Sequence, residues 1–288
     1  NARLLETKGQ DRKTFLARIE KVFDDELDRC VSGNYEFSAL AGRNILQFHY
    51  LSQEWLKRRF NDIFSLKSEK NWRCAIQGYS YVNLVHPDIY AWLKSNGHLQ
   101  KVLNVDWRNK DVRKKIIQQV AVQYIGGKET LTGDSLFADI LRSWKEKDVS
   151  EIIWQFWVGR DQKLNNDQRR RILEFWKWCS DKIRTHEEEN TRILSDLLQL
   201  TCYLSEMGQD EEAMVIQAAP YADVGHHSSF FLEYLNSLSA RFPKAVANVY
   251  LAMLTRSAPT FQEENIVSIV NNLYSHDLKV EANKIVNI

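Results

Sequence analysis

A short segment, Gly126-Gly127-Lys128-Glu129-Thr130, has the residue types of a phosphate-binding loop. Such a loop joins a strand to a helix, and its lysine is followed directly by Ser or Thr, because backbone N–H groups and the ammonium hold the phosphates together. Here the segment follows a helical pattern, Glu129 follows Lys128, and the upstream glycine is missing. We therefore interpret Gly126-Gly127 as the end of a helix.

Histidine and cysteine are potential metal ligands, but their spacing matches no metal motif. His226 and His227 are adjacent, and neighbouring side chains on a helix point about 100° apart, so the pair cannot easily hold one ion. The remaining histidines are scattered, and the four cysteines lack CxxC spacing and fall in amphipathic helical stretches, which predicts reduced, buried thiols. We predict no metal site and no cofactor site. The scattered histidines are His49, His86, His98, His186 and His276, and the cysteines are Cys30, Cys74, Cys179 and Cys202.

Catalytic motifs with a fixed local spacing are also missing from the sequence. It contains no nucleophile elbow, no HExxH pair and no kinase-type loop. Active sites can assemble from distant residues, but nothing in the sequence points to such a set. We therefore predict a chain without catalytic residues of its own.

A basic stripe at residues 169–184 is the strongest candidate for a binding surface. We expect Arg169, Arg170 and Lys177 on one outward side of their helix, opposite Trp176, where they can contact a phosphate backbone or an acidic protein. A solvated helix face is the alternative, because acidic residues interleave with the basic ones. With 39 basic and 38 acidic residues the net charge is +1, without the excess expected of a nucleic-acid-binding domain. We predict that these three residues bind a protein partner.

The composition of the 288-residue chain favours helices with short connections. Turns between strands consume Gly and Pro, and the chain has 11 Gly and 4 Pro. No apolar run approaches the roughly 20 residues of a membrane span, and no signal peptide is visible. Together with the reduced thiols, these features predict a cytoplasmic protein that does not enter the membrane.

The last hundred residues repeat one pattern at intervals of 34 and 35 residues. Each unit has an apolar i, i+3, i+7 stripe, a turn, and a second helix with an alanine facing the first. A single unit cannot bury its apolar face, so neighbouring units must stack. The pattern predicts an all-α fold, a right-handed superhelix (α-solenoid) of helix pairs. The stripes are Leu197, Leu200 and Leu204, then Phe231, Tyr234 and Leu238, then Ile266, Ile269 and Leu273.

Two parts of the chain differ in composition. We interpret residues 1–187, which hold all nine tryptophans, as an irregular helical array, and residues 188–288 as the helix-pair repeats. No Gly/Ser-rich linker separates them, so we expect them to be continuous. The chain begins at Asn1 and stops inside the second helix of the third unit, which suggests a piece of a longer protein. We expect the apolar face of that last helix, with Ala282, Ile285 and Val286, to be only partly covered.

Capping residues and periodicity predict two aromatic-rich helices before the repeats. Ser150 is a predicted N-cap of the first, and Asp167 begins the second. In the second helix Ile172, Trp176 and Cys179 step by four and three residues, which predicts one buried face.

Two family resemblances follow from particular strings. Residues 204–213, Leu-Ser-Glu-Met-Gly-Gln-Asp-Glu-Glu-Ala, resemble a tetratricopeptide-type repeat. Where that family has a small residue in its first helix, this chain has Thr201, Leu235 and Val270, which implies an irregular, HEAT-like packing.

Residues 71–84, 93–99 and 171–176 resemble the C-terminal helical region of large bacterial anti-phage defence proteins. Those proteins carry an N-terminal sirtuin-like, nuclease or STAND-type NTPase effector. The resemblance implies a sensor or regulatory domain whose partner is a phage protein or the effector domain of its own parent protein. The residues alone leave two alternatives open: a scaffold for self-assembly of the parent into a homo-oligomer, and nucleic-acid binding through residues 169–184.

Overall fold

Helices make up all the regular structure in the described part of the chain. The computed structural model describes residues 10–30, 33–222, 228–256 and 262–287, and no strand occurs among them. The prediction of an all-α fold is confirmed. None of the described helices is both long enough and apolar enough to cross a membrane.

The chain divides into two compact units, Asn1–Gln119 and Val120–Ile288. The change in composition at residue 187 therefore lies within the second unit. The helices, numbered in chain order, begin with α1 (Gln10–Cys30), α2 (Tyr35–Arg43), α3 (Ile45–Leu51), α4 (Gln53–Ile63), α5 (Glu69–Ser80), α6 (Pro87–Ser95), α7 (His98–Asn104) and α8 (Asp111–Ile125).

Aromatic side chains and a few buried polar contacts hold the first unit together. Trp55 and Trp72 are almost fully buried, and the indole nitrogen of Trp55 donates to Asp24 Oδ1 over 3.0 Å, joining α4 to α1. Between α2 and α5, the amide of Asn71 donates to the hydroxyl of Ser38 over 2.7 Å. The Trp55 indole, the Asn71 amide and the Ser38 hydroxyl thus each have a partner that offsets their loss of water.

Nine further α-helices are described in the second unit. A short 3₁₀ segment, Glu187–Glu189, follows the third of them, and two more, Leu198–Tyr203 and Ala219–Tyr221, follow the fourth and fifth. The helices are α9 (Leu136–Ser143), α10 (Glu146–Val158), α11 (Asn166–Ile183), α12 (Thr191–Leu197), α13 (Gln209–Ala218), α14 (Ser228–Ser239), α15 (Pro243–Met253), α16 (Glu263–Ser275) and α17 (Lys279–Val286).

Helices near the end of the second unit pack on alternate neighbours. α13 contacts α15, α15 contacts α17, and α14 contacts α16, while consecutive helices from α14 to α17 also contact one another. Most of the predicted apolar stripe residues are buried, and Tyr234 and Ile266 are half-buried. The stripes therefore form the faces through which these helices pack.

Polar contacts in this region recur at 36 and 37 residues, slightly more than the interval of the sequence repeat. Arg241 donates to the carbonyl of Ser205, 36 residues away, and the amide of Asn248 donates to Glu212 over the same interval at 2.7 Å. One unit further on, Lys244 pairs with Glu281, 37 residues away. These contacts thus join successive units, as stacking of the units requires.

The first repeat unit departs from the predicted continuous helix. α12 ends at Leu197, and residues Leu198–Tyr203 continue as a 3₁₀ helix before Leu204 turns to extended backbone. The hydroxyl of Thr201 donates back to the carbonyl of Leu198 over 2.6 Å. Such local side-chain bonds compete with the α-helical pattern. Leu204 is buried, but it lies beyond the helix that the sequence predicts for it.

One further prediction was wrong in detail, and one was confirmed. Ser150 is not an N-cap, because α10 begins at Glu146 and contains it; its hydroxyl instead donates to the buried carboxylate of Asp196 over 2.5 Å. In the last helix, Ala282 and Ile285 are buried against neighbouring helices, whereas Val286 is 60% exposed. The apolar face of α17 is therefore only partly covered, as expected.

Candidate partner-binding surface

Helix α11 presents the three predicted binding residues. It begins with a capping box in which Asn165 and Gln168 bond to each other's backbone N–H groups. As predicted, Trp176 and Cys179 are buried on its inner face. A well-capped helix with a buried face is a rigid base for the side chains on its outer face.

Arg169, Arg170 and Lys177 are all exposed on α11, but they do not share one side. Arg170 and Lys177 are two turns apart and lie together. Arg169 is two turns before Trp176, so its helical position falls on the side of Trp176 rather than opposite to it. Arg170 and Lys177 therefore share one side, about 100° from Trp176 rather than opposite to it, and Arg169 does not share that side.

Arg170 and Lys177 each form ion pairs with acidic side chains. Arg170 bonds Asp167 over 3.2 Å and Glu174 over 2.6 Å, both on its own helix, and these bonds raise its pKa. Lys177 donates to Asp210 at the start of α13, and this hydrogen bond raises the pKa of Lys177 and lowers the pKa of Asp210. The carboxylates offset much of the positive potential of these two cations.

Two other cations of the basic stripe, Lys182 and Arg184, also contact neighbouring side chains. The ammonium of Lys182 lies 4.6 Å from the ring centre of Trp144 and 5.1 Å from that of Trp178. Arg184 pairs with Asp181 over 2.5 Å. Within the described chain the stripe thus has the contacts of a solvated helix face, which weakens the interpretation that it binds a nucleic acid.

A second surface combines exposed aromatic rings with a cation, and we call Trp154, Trp157, Arg160 and Phe230 the aromatic patch. Trp154 and Trp157 are one turn apart on α10, with ring centres 5.2 Å apart. Phe230 of α14 meets Trp157 edge-on at 5.2 Å. The guanidinium of Arg160 lies 3.9 Å above the Trp157 ring and donates to the carbonyl of Trp157. The rings and the cation therefore form one continuous surface.

The aromatic patch has the chemistry of a protein-binding surface. Trp154 is 41% exposed and Phe230 is 39% exposed. Both have large apolar rings, and burying such rings away from water lowers the free energy. Trp and Arg are the residues most enriched where binding energy concentrates in interfaces. Periodicity alone cannot tell which aromatic residues of α10 face outward, so the sequence does not separate these exposed rings from core tryptophans.

Gly126 and Gly127 end a helix, as predicted. α8 stops at Ile125, and Gly127 takes the left-handed conformation, with φ of +75°. The next acidic residue, Glu129, is 1% exposed and accepts from the hydroxyl of Ser135 over 2.6 Å. It also accepts from the backbone N–H of Phe137, in the first turn of α9. A carboxylate therefore occupies the helix N-terminus where a phosphate would have to bind.

The cysteines lack the environment of reactive thiols. Cys30 and Cys179 are buried, Cys74 and Cys202 are half-buried, and all four are free cysteines. Burial raises the pKa of each thiol, that of Cys202 to about 12. Reactive cysteines have lowered pKa values, because the thiolate is the nucleophile. These side chains thus serve packing.

The interpretation of the remaining histidines as scattered was wrong for one pair. His49 and His86 lie with ring centres 4.2 Å apart, although 37 positions separate them in the sequence. The adjacent histidines His226 and His227 lie outside the described residues. The one local signal for the pair was His86-Pro87-Asp88, in which two possible ligands are two residues apart.

Comparisons of the chain with protein-family models, with curated proteins and with solved structures found no match. The resemblances to tetratricopeptide-type repeats and to anti-phage defence proteins therefore stay predictions.

Proposed function

We propose that this chain is a non-catalytic helical-repeat domain that binds a protein partner through the aromatic patch. The observation that supports this most directly is the grouping of two exposed aromatic rings around Trp157 and its stacked guanidinium, Arg160. Covering such a surface with a partner is favourable, because the apolar rings leave water and the guanidinium can donate to a hydrogen-bond acceptor of the partner.

We further propose that the helices form a right-handed superhelix of stacked helix pairs, similar to tetratricopeptide or HEAT repeats. The packing of α13 on α15, of α15 on α17 and of α14 on α16 supports it, as do the polar contacts between successive units. Stacked repeats present extended surfaces to extended partners. The large residues Leu235 and Val270, buried where small residues are expected, favour the HEAT-like variant.

The side chains of the aromatic patch indicate which residues a bound partner segment carries. Its rings offer flat apolar area, and Arg160 offers a cation already aligned by stacking on Trp157. A complementary segment carries an apolar or aromatic side chain next to an Asp or Glu. Arg169, Arg170 and Lys177 form a second, weaker contact region for acidic residues further along such a segment.

In its biological setting, we propose that the domain is the sensor or regulatory part of a cytoplasmic bacterial anti-phage defence protein. The partner is then a phage protein or the effector domain of the parent. The support for this step is the resemblance of residues 71–84, 93–99 and 171–176 to that family. Binding through the aromatic patch does not depend on it.

A displayed library of random peptides tests the proposal without a known partner. Selection on the purified chain should enrich peptides that combine aromatic and acidic residues. Trp154→Ser should weaken the binding of those peptides at least tenfold, because the exposed ring supplies contact area. Trp178→Phe is the matched control, since it changes a half-buried tryptophan that packs beside Trp144, away from the patch.

Two outcomes would contradict the proposal. One is the absence of any enriched peptide, and the other is equal binding of the enriched peptides to the Trp154→Ser chain. A steep fall in affinity with salt, together with binding of random DNA, would instead favour the basic stripe and a nucleic acid. Sedimentation of the chain alone as a dimer that Trp154→Ser dissociates would show that the patch serves self-assembly.

A further inference from the structure

We propose that His49, His86 and Asp88 form a binding site for a divalent metal ion of the zinc class. His49 lies in the last turn of α3, His86 is the residue that caps α6, and Asp88 is in the first turn of α6. One possible ligand atom from each side chain lies within 4.8 Å of the other two. All three residues belong to the first unit.

The distance between one pair of possible ligand atoms already matches a tetrahedral site. Nε2 of His49 is 3.4 Å from Oδ2 of Asp88. In a tetrahedral zinc site with ligand bonds near 2.0 Å, two ligand atoms are about 3.3 Å apart. Small rotations of His86 bring its ring nitrogen from within 4.8 Å to that distance. Two imidazoles and one carboxylate are a known ligand set for zinc.

An independent observation also points to a ligand at this site. Nε2 of His49 is buried and makes no hydrogen bond in the described part of the chain; Oδ2 of Asp88, which lies 3.4 Å away, is itself a proposed ligand. The His49 side chain is 16% exposed, with the His86 ring at 4.2 Å and the Trp92 ring at 5.9 Å. A buried polar atom without a partner costs free energy, and a metal ion in front of Nε2 removes that cost.

Binding of the ion replaces one existing hydrogen bond of His86 with a metal–nitrogen bond. Nδ1 of His86 accepts a 3.3 Å hydrogen bond from the backbone N–H of Asp88, which caps α6. A neutral imidazole has one lone pair, so a metal–nitrogen bond to either ring nitrogen displaces this long hydrogen bond. The freed N–H of Asp88 lies in an exposed first turn, where water can accept from it.

The site would connect two helices and keep one position open. The ion joins the end of α3 to the start of α6, so its binding free energy adds to the stability of the first unit. The Asp88 side chain is 49% exposed, which leaves the solvent side of the ion for water as a fourth ligand.

Titration calorimetry of the chelator-treated chain with zinc chloride tests this inference. We expect one saturable site and a rise in melting temperature on binding. Cobalt chloride should produce the intense visible absorption of a tetrahedral ion, and zinc should abolish it. His49→Ala and Asp88→Asn should each weaken zinc binding at least tenfold, since each removes a ligand. His186→Ala, at an exposed histidine elsewhere, is the matched control and should bind as the unchanged chain does.

Circular dichroism shows whether each variant is folded, and Asp88→Asn keeps the shape of a half-exposed side chain if His49→Ala does not fold. Absence of saturable zinc and cobalt binding would overturn the inference. Equal zinc affinity in the unchanged chain and in folded Asp88→Asn would also overturn it. Neither result depends on peptide binding to the aromatic patch, so the two proposals fail separately.

Discussion

Gly42 of α2 and Gly78 of α5 lie at a crossing where the two backbones touch. A Cβ atom at Gly42 would lie 1.9 Å from the carbonyl oxygen of Ala75, and one at Gly78 would lie 2.0 Å from the carbonyl oxygen of Ala39. Neither glycine has a positive φ, so both are required for space rather than for conformation. Close contact of paired helices through small residues therefore occurs in the part of the chain that the sequence predicted to be irregular.

We expect Gly78→Ala to destabilise the protein by at least about 3 kcal/mol, because a backbone carbonyl cannot move as a flexible side chain can. Gly126→Ala is the matched control. A Cβ there meets its nearest atom at 3.5 Å, and the substitution should be neutral or stabilising by up to about 1 kcal/mol. Urea unfolding followed by circular dichroism measures both. Similar midpoints for the two variants would show that the helices can separate at little cost.

Trp176→Ala should cost roughly 3–5 kcal/mol of stability, because the side chain is fully buried on the inner face of α11. Trp154→Ala should cost less than about 1 kcal/mol, because its ring is already 41% exposed. Thermal unfolding compares the two directly. A larger loss from Trp154→Ala would place the aromatic patch in the core and remove the basis for its role in binding.

Stability should fall in mild acid because of His98. Burial, with a smaller contribution from Lys101, lowers the pKa of His98 from 6.5 to about 4. Its Nδ1 also accepts from the indole nitrogen of Trp72 over 3.2 Å. The unfolded chain therefore binds the proton more readily than the folded chain. The stabilisation is complete above pH 6.5 and is lost as the pH falls toward 4, by up to about 1.4 kcal/mol per unit.

Denaturant unfolding at a series of pH values measures this dependence. His98→Gln keeps an acceptor for Trp72 and cannot be protonated, so its stability should depend less on pH over this range. An equally steep acid loss in His98→Gln would assign the effect to other groups.

Arg169 is the clearest single probe of the basic stripe as a contact region. Reversing Arg170 also places like charges beside Asp167 and Glu174, and reversing Lys177 does so beside Asp210. Arg169→Glu should weaken the binding of an acidic selected peptide about tenfold. Fluorescence anisotropy of a labelled peptide measures it. Unchanged affinity in Arg169→Glu and in a Lys177→Gln variant would restrict the binding surface to the aromatic patch.

Local sequence patterns predicted the features that depend on neighbouring residues. The buried face of α11 follows from the spacing of Ile172, Trp176 and Cys179, and the end of α8 follows from Gly126-Gly127. In both cases the determining interactions lie within a few turns of one helix. These are the interactions that periodicity and capping rules describe.

Features that depend on distant residues could not be predicted in this way. Ser150 has the residue type of an N-cap, but its partner is Asp196, 46 residues away, so only the packed structure shows that it lies inside a helix. The pairing of His49 with His86 likewise requires α3 to pack beside the start of α6. The outward direction of Trp154 depends on which elements cover α10, and no local spacing fixes that choice.

The distribution of tryptophan has a practical consequence for spectroscopy. All nine indole rings lie between Trp55 and Trp178, so helices α12 to α17 contain none. Intrinsic tryptophan emission therefore responds only weakly to fraying of α15 to α17, whereas far-ultraviolet ellipticity records it. Melting curves from the two signals should coincide if the second unit unfolds as a single cooperative body. A loss of ellipticity that precedes the emission change would show that helices without an indole ring, such as α15 to α17, open first.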